Sequence, residues 1–344
     1  MKKVISIILS TILLCSCISI AFAEDAAEPF DSFGAYKHVF IIGVDGCGAT
    51  WDKVDSPNFD RIFKADNAYR FDAHTEYVTV SAQNWGSILT GVAYDVHGFD
   101  NGSIEENERS SDSANNSIFY YARKQFPDAE LASFCHWDPI NHGIIENDLN
   151  VNKVNRGTDP LVTQAIVTYF DKGNAPALFF CQLDSVDHAA HTYGGFSRQY
   201  YEAAEKADGY LGDIYDAIER AGLMEDGLFI VVADHGETED GHGGQTPEES
   251  AAVLAVAGKS VNAGEITESA RNRDVASIAL YALGIEQPDH MTSVVPEGLF
   301  GEAREKMIEP AKKSAFADFF KKFAYVFVRI VNALISIFDG SDLF

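Results

Sequence analysis

The feature that most constrains this chain is a set of apolar runs, each of strand length and each closing on an acid. They are His38–Asp45 (HVFIIGVD), Ala177–Asp184 (ALFFCQLD) and Leu228–Asp234 (LFIVVAD). A strand with one wet face alternates apolar and polar residues. A run without alternation suits a strand covered on both faces, as in a parallel sheet between two helical layers. Glu130–Cys135 and Ala251–Ala257 are further strand candidates. Helix-like stretches lie near 83–90, 113–124, 160–172, 197–221 and 272–283. The clearest is 197–221, with Tyr200, Ala204, Ala207, Leu211, Ile214 and Ile218 on one side. Strands alternating with helices imply an α/β fold with a mostly parallel central sheet and helices on both faces.

Composition narrows the class. A chain of 344 residues that is 46% hydrophobic can bury a large core and is not a disordered polymer. With 26 Lys+Arg against 52 Asp+Glu, the net charge of -26 leaves no broad cationic footprint. Binding to a nucleic-acid duplex is therefore not expected. Cys47, Cys135 and Cys181 show no metal-type spacing and read as core thiols, with at most one disulfide among them.

Both ends read differently from the middle. Lys2 and Lys3 precede an apolar run from Val4 to Ile20, and Ala21-Phe22-Ala23 has the form of a cleavage site. Residues 1–23 are expected to be a secretory signal, with a membrane anchor as the alternative. Export, in a bacterial style, follows from that reading. Residues 24–37 are expected to be a linker, 38–305 the folded domain, and 306–344 an amphipathic helix. In that last segment Phe316, Phe319, Phe320, Phe323, Phe327, Ile330, Leu334 and Phe338 recur at helical steps. Arg329 and Asn332 interrupt it, and it falls short of the ~20 apolar residues a span requires. The expectation is peripheral membrane contact through 311–338, with packing on the protein body or a subunit contact as the alternative.

Chemistry-bearing residues cluster where strands should end. Ligand sites in open α/β sheets form beyond the carboxyl ends of strands, and Asp45, Asp187 and Asp234 fall there. Each acid alone is a turn or cap residue. Asp187-His188-Ala189-Ala190-His191 sets a carboxylate and an imidazole four apart, on one side of a helical turn. Asp234-His235-Gly236 followed by Gly241-His242-Gly243-Gly244 adds an acid, two imidazoles and a flexible loop. Carboxylates with neutral imidazoles form a ligand set for divalent metal, zinc first. The six side chains suffice for two ions, shared equally or unequally, and an ion pair ~3.5–4 Å apart clamps an in-line displacement at phosphorus. The nucleophile candidate is Ser81, in Val78–Gly91 (VTVSAQNWGSILTG), where a helix is expected to start. A hydroxyl there faces unpaired N–H groups that favour a phosphate. Taken alone, Ser81 is an N-cap.

The pattern as a whole resembles the alkaline phosphatase superfamily, nearest its nucleotide pyrophosphatase/phosphodiesterase (type I phosphodiesterase) branch. The motifs that carry the resemblance are Val44-Asp45-Gly46, Thr79-Val80-Ser81-Ala82-Gln83-Asn84 running into Leu89-Thr90-Gly91, and His97-Gly98. They continue as Asp187-x3-His191-x2-Gly194, Asp234-His235-Gly236, and His242-Gly243-Gly244 with Thr246-Pro247-Glu248-Glu249. They span residues 38–283 in family order. The resemblance implies an alkaline-phosphatase-like fold. It also implies one metal on Asp45, Ser81, Asp234 and His235, and a second on Asp187, His191 and His242. Ser81 would be the bridging nucleophile that forms a phosphoseryl intermediate, and Asn84 the donor to a phosphoryl oxygen. The implied activity is a phosphodiesterase or nucleotide pyrophosphatase on a small phosphate ester or nucleotide-type substrate. A phosphomonoesterase or phosphonate hydrolase is the alternative, and a catalytically inactive metal-binding protein is the alternative of another class. Departures from the branch are Ser81 where Thr is usual, Ala82-Gln83 in place of an apolar-Pro pair, and an additional His188, which could contact substrate or simply be exposed. The Cys-x-Pro-x-Arg run of sulfatases does not occur.

Overall fold

The computed structural model describes residues 32–301. The expected signal segment, most of the expected linker and the expected C-terminal helix lie outside the described residues. β1 (His38–Val44), β2 (Ala68–His74), β3 (Leu131–Cys135), β4 (Asn152–Asn155), β5 (Leu178–Leu183), β6 (Gly227–Val232), β7 (Ala251–Ala257) and β8 (Gly264–Glu265) form one sheet. Its order is β4-β3-β5-β1-β6-β7-β2-β8. From β4 through β6 every pair is parallel, β7 is antiparallel to both its neighbours, and β8 is parallel to β2.

The main helices are α1 (Ser81–Thr90), α2 (Asn101–Glu106), α3 (Ile118–Gln125), α4 (Asp159–Asp171), α5 (Ser185–Tyr193), α6 (Arg198–Arg220) and α7 (Asp274–Ala282). They cover both faces of the sheet, which explains the unbroken apolar runs. Val39 and Ile41 of β1 point into one core with Trp85 and Leu89 of α1, Phe119 of α3 and Ile278 of α7. Phe40, Ile42 and Val44 point into the other, with Ile166 and Phe170 of α4 and the apolar stripe of α6. Successive side chains of a strand alternate between faces, so with two dry faces both sets of positions are apolar, apart from polar side chains that are hydrogen-bonded, such as Gln182 of β5. α6 begins where the Ser197 hydroxyl accepts the Tyr200 N–H, and it gives way to Gly222 at φ +75°.

Register delivers the site. Val44 is level with Leu183, and Gly43 with Val232. One residue beyond the first pair and two beyond the second, the neighbouring parallel strands therefore release Asp45, Asp184 and Asp234 level with one another at the carboxyl ends of the strands.

The three free cysteines are buried, as core thiols should be. The expected linker needs correction at its end, because Ala35 and Tyr36 are buried in the domain. Tyr36 is tied in through its hydroxyl, which accepts from the Ser260 N–H at 2.8 Å. β2, β4 and β8 were not apparent from the sequence. β2 carries Arg70 and Asp72 and has a partly exposed face, and β4 (NKVN) is largely polar. No helix among the described residues is long and apolar enough to cross a membrane.

Candidate metal centre

Asp45 is divided between two tasks. Its Oδ2 accepts from Trp85 Nε1 at 2.8 Å and from Gln182 Nε2 at 3.0 Å. Its Oδ1 faces the Ser81 hydroxyl and His235 Nε2, each at 3.5 Å. Asp234 is split the same way. Its Oδ1 accepts the Gly46 N–H at 3.1 Å, and its Oδ2, which accepts no hydrogen bond, lies 3.3 Å from His235 Nε2. His235 donates through Nδ1 to the Gly236 carbonyl at 3.0 Å, so Nε2 keeps the lone pair. That lone pair lies 3.3 Å from Ser81 Oγ. Ligand atoms of Asp45, Asp234 and His235 all lie within 4.8 Å of one another.

A second group adjoins the first. α5 presents Asp187 and His191 one turn apart, with His191 Nε2 3.4 Å from Asp187 Oδ2. His242 arrives on the loop after β6. Its Nδ1 donates to the Thr79 carbonyl at 2.6 Å, which aims Nε2 at His191 Nε2 (3.0 Å) and Asp187 Oδ1 (3.4 Å). The His235 and His242 rings stack at 3.9 Å, so the two groups share a wall. The structure thus brings Asp45, Ser81, Asp187, His191, Asp234, His235 and His242 into one site.

The donor set fits cations. Burial first, then the neighbouring imidazoles, hold His242 neutral by pulling its pKa down to about 4. Burial likewise lowers His235. Two neutral imidazoles therefore aim lone pairs at carboxylates, an arrangement that is repulsive unless a positive charge lies between them. Asp187 Oδ1, Asp234 Oδ2 and both oxygens of Glu237 are buried without a hydrogen bond. Among the described residues no lysine or arginine pairs with Asp45, Asp187, Asp234 or Glu237. Without a cation, burial and mutual repulsion push Asp45 up to about 7, Glu237 up to about 10, and Asp234 well above the carboxylate range. Buried carboxylates are paired, protonated or metal-bound. This set has the chemistry of the last.

Several assignments shift. Ser81 is the first residue of α1, not its cap. Val80 holds the cap position without a side-chain bond, which leaves the Ser81 hydroxyl free for the site. Asn84, expected to donate to a phosphoryl oxygen, spends its amide inside the protein. It is fully buried, its Oδ1 accepts from Glu76 N and Asn272 Nδ2, and its Nδ2 donates to the Val78 and Val80 carbonyls. All its hydrogen-bonding capacity fixes the loop that precedes α1. The amide at the site is Asn101, at the start of α2. Its Oδ1 accepts the Ala82 N–H at 3.1 Å, beside Ser81, and its Nδ2 meets no acceptor among the described residues. His188 is exposed on α5 and bonds only through its backbone. Sequence reasoning also missed Gln182, which bridges Asp45 and Asp184, and Asp159, which accepts the Asp184 and Ser185 N–H groups at the start of α5. A lone Gln or Asn gives no signal in a linear reading. Glu237, two residues after His235, could have been suspected from its place in the motif.

A mostly parallel α/β sheet that gathers these donors around a serine at a helix start defines the class of phosphoester-acting enzymes. The profile of the type I phosphodiesterase / nucleotide pyrophosphatase family matches residues 39–246, and the chain belongs to that family. It is 24% identical over 332 residues to GPI ethanolamine phosphate transferase 1 of Candida glabrata, covering 80% of this chain and 35% of that protein. It is 32% identical over 145 residues to the 2,3-bisphosphoglycerate-independent phosphoglycerate mutase of Gluconobacter oxydans, covering 39% of this chain and 26% of that protein. The chain thus spans about a third or less of the curated relatives it matches. Murine ectonucleotide pyrophosphatase / phosphodiesterase 5 has a similar fold, with TM-score 0.59 and 13% identity over 74% of this chain and 96% of that one. A variant of the alkaline phosphatase PafA has TM-score 0.64 and 11% identity over 77% and 99%.

Proposed function

We propose that this chain is an exported, two-metal phosphoric ester hydrolase that cleaves a phosphodiester or pyrophosphate through a phosphoseryl intermediate on Ser81. The observation that carries the reading is the free Ser81 hydroxyl beside two adjoining groups of unpaired carboxylate and imidazole donors. Family membership supports the reaction class, and an inactive form of the murine relative has been solved with AMP. The N-terminal run supports export.

Asp45, Asp234 and His235 would hold one ion next to Ser81, and Asp187, His191 and His242 the other. Bound divalent ions, zinc first, would lower the pKa of the serine hydroxyl and neutralise charge on the phosphoryl oxygens. The chain's own residues do the rest. Ser81 Oγ gives its proton to solvent and attacks phosphorus in line, and the P–O bond to the leaving alcohol or phosphate breaks as that oxygen takes a proton from solvent. The Asn101 amide and the α1 N-terminus donate to the equatorial oxygens, where charge develops. Water then attacks the phosphoserine from the vacated side and releases Ser81. An alcohol in place of water would make the same intermediate a transfer reaction, the activity named for the Candida glabrata relative.

Ser81→Ala tests the core of this. Turnover should fall by at least ~10³-fold with metal content unchanged. Comparable turnover in the variant would refute the nucleophile. Rates on bis-p-nitrophenyl phosphate against p-nitrophenyl phosphate, each with a chelator control, decide diester against monoester. With bis-p-nitrophenyl phosphate in added glycerol, p-nitrophenyl phosphate formed by hydrolysis against the glyceryl p-nitrophenyl phosphodiester formed by transfer separates the two reactions.

A further inference from the structure

The most conspicuous group the proposed reaction leaves unused is Glu237. It is 1% exposed, and neither carboxylate oxygen accepts a hydrogen bond. It is not a stray surface acid folded inward. It lies on the short loop that delivers both His235 and His242. The turn directly after it is closed by Thr238 N–H and Thr238 Oγ1, both donating to the Gly241 carbonyl at 2.9 and 2.7 Å. Its carboxylate is pressed against Gly46 and Asp187: a Cβ added at Gly46 would sit 3.0 Å from Glu237 Oε1 and 2.8 Å from Asp187 Cβ. Lys53, the cation that lines the small cavity behind Glu237, lies over the Phe196 ring and forms no ion pair with it. A fixed, dry, unpaired carboxylate with no protein counter-charge needs another partner.

Geometry names that partner. Ligand atoms of Asp187, His235, Glu237 and His242 all lie within 4.8 Å of one another. Donors bound to one zinc-like ion at about 2.0–2.2 Å must lie within about 4.4 Å of each other, so small side-chain adjustments suffice. We infer that Glu237 is an additional protein ligand to the ion at Asp187 and His242, giving that site a second carboxylate. The buried acids Asp45, Asp187, Asp234 and Glu237 then match two divalent ions charge for charge. This inference rests on the two-metal reading above.

The test uses the purified full chain and Zn²⁺ alone, titrated against a chelating dye, with melting recorded before and after loading. Glu237→Gln keeps the shape and removes the charge. It should weaken the weaker of two Zn²⁺ sites by at least ~10-fold. Glu237→Asp keeps the charge but withdraws it by one methylene. It should lose affinity as well, because the carboxylate no longer reaches the ion. Two ions bound by Glu237→Gln as tightly as by wild type would overturn the inference and leave the two-metal reading standing. A wild-type chain that takes up no Zn²⁺ would overturn both readings together.

Discussion

At the scale of single residues, two asparagines exchange the roles that a linear reading suggests. Asn84 lies three residues after Ser81 and looks like a substrate donor, yet it is buried with both ends of its amide bonded to the protein. Asn101 is exposed and distant in sequence, yet its amide sits at the α1 N-terminus beside Ser81. Their alanine variants should therefore fail differently. Asn84→Ala strands the Glu76 N–H and the Val78 carbonyl, and each buried orphan costs ~1–3 kcal/mol. Denaturant unfolding should show a stability loss of about 3 kcal/mol. Asn101→Ala strands only the Ala82 N–H and should cost about 1 kcal/mol, while it lowers kcat by ~10²-fold, the usual cost of a lost oxyanion donor. A stable Asn84→Ala chain, or full activity in Asn101→Ala, would reverse these assignments.

At the scale of elements, β1 shows what the sequence made legible and what it hid. Its apolar run and the parallel partners β5 and β6 could be read directly, because a strand with two dry faces leaves no other pattern. The acids at the strand ends could be read for the same reason, since register turns strand length into position. Gln182 and Asp159 could not, because their roles depend on which side chains the fold brings beside them, and Glu237 is marked only by its place two residues after His235. The edge strands β2 and β4 were hidden by their polar faces. Gly43 belongs to this second kind. It looks like a neutral strand residue, but a Cβ there would meet Trp85 Cη2 at 2.3 Å and Cζ3 at 2.7 Å. The same indole donates to Asp45 Oδ2. Gly43→Ala should cost ~1–3 kcal/mol by overpacking, and it should also weaken metal binding, because Trp85 cannot move without releasing Asp45. Unfolding and metal titration on one preparation check both effects. Lost stability with wild-type metal affinity would show that Trp85 does not orient the ligand.

At the scale of the whole molecule, the buried acids set an unusual dependence on pH. Asp45 and Asp184 are pushed up to about 7, chiefly by burial, and Glu237 up to about 10. A carboxyl with a raised folded pKa binds more protons folded than unfolded, so stability falls as pH rises between the two values. His97 and His242 oppose this, since burial lowers each to about 4 and their contribution rises with pH up to the unfolded value near 6.5. Above that value the imidazoles no longer differ between the two states, and Glu237 continues to release its proton. The chelated chain should therefore lose stability from pH 7 to 9, by roughly 1.4 kcal/mol per pH unit for each proton still held. Metal loading should cancel the trend, because ions keep the same carboxylates ionised and bind more tightly as competing protons leave. Melting curves at pH 6, 7, 8 and 9, with chelator and with Zn²⁺, check this directly. The gap between the two curves should widen with pH, and a constant gap would mean that the buried acids are not where the cations bind.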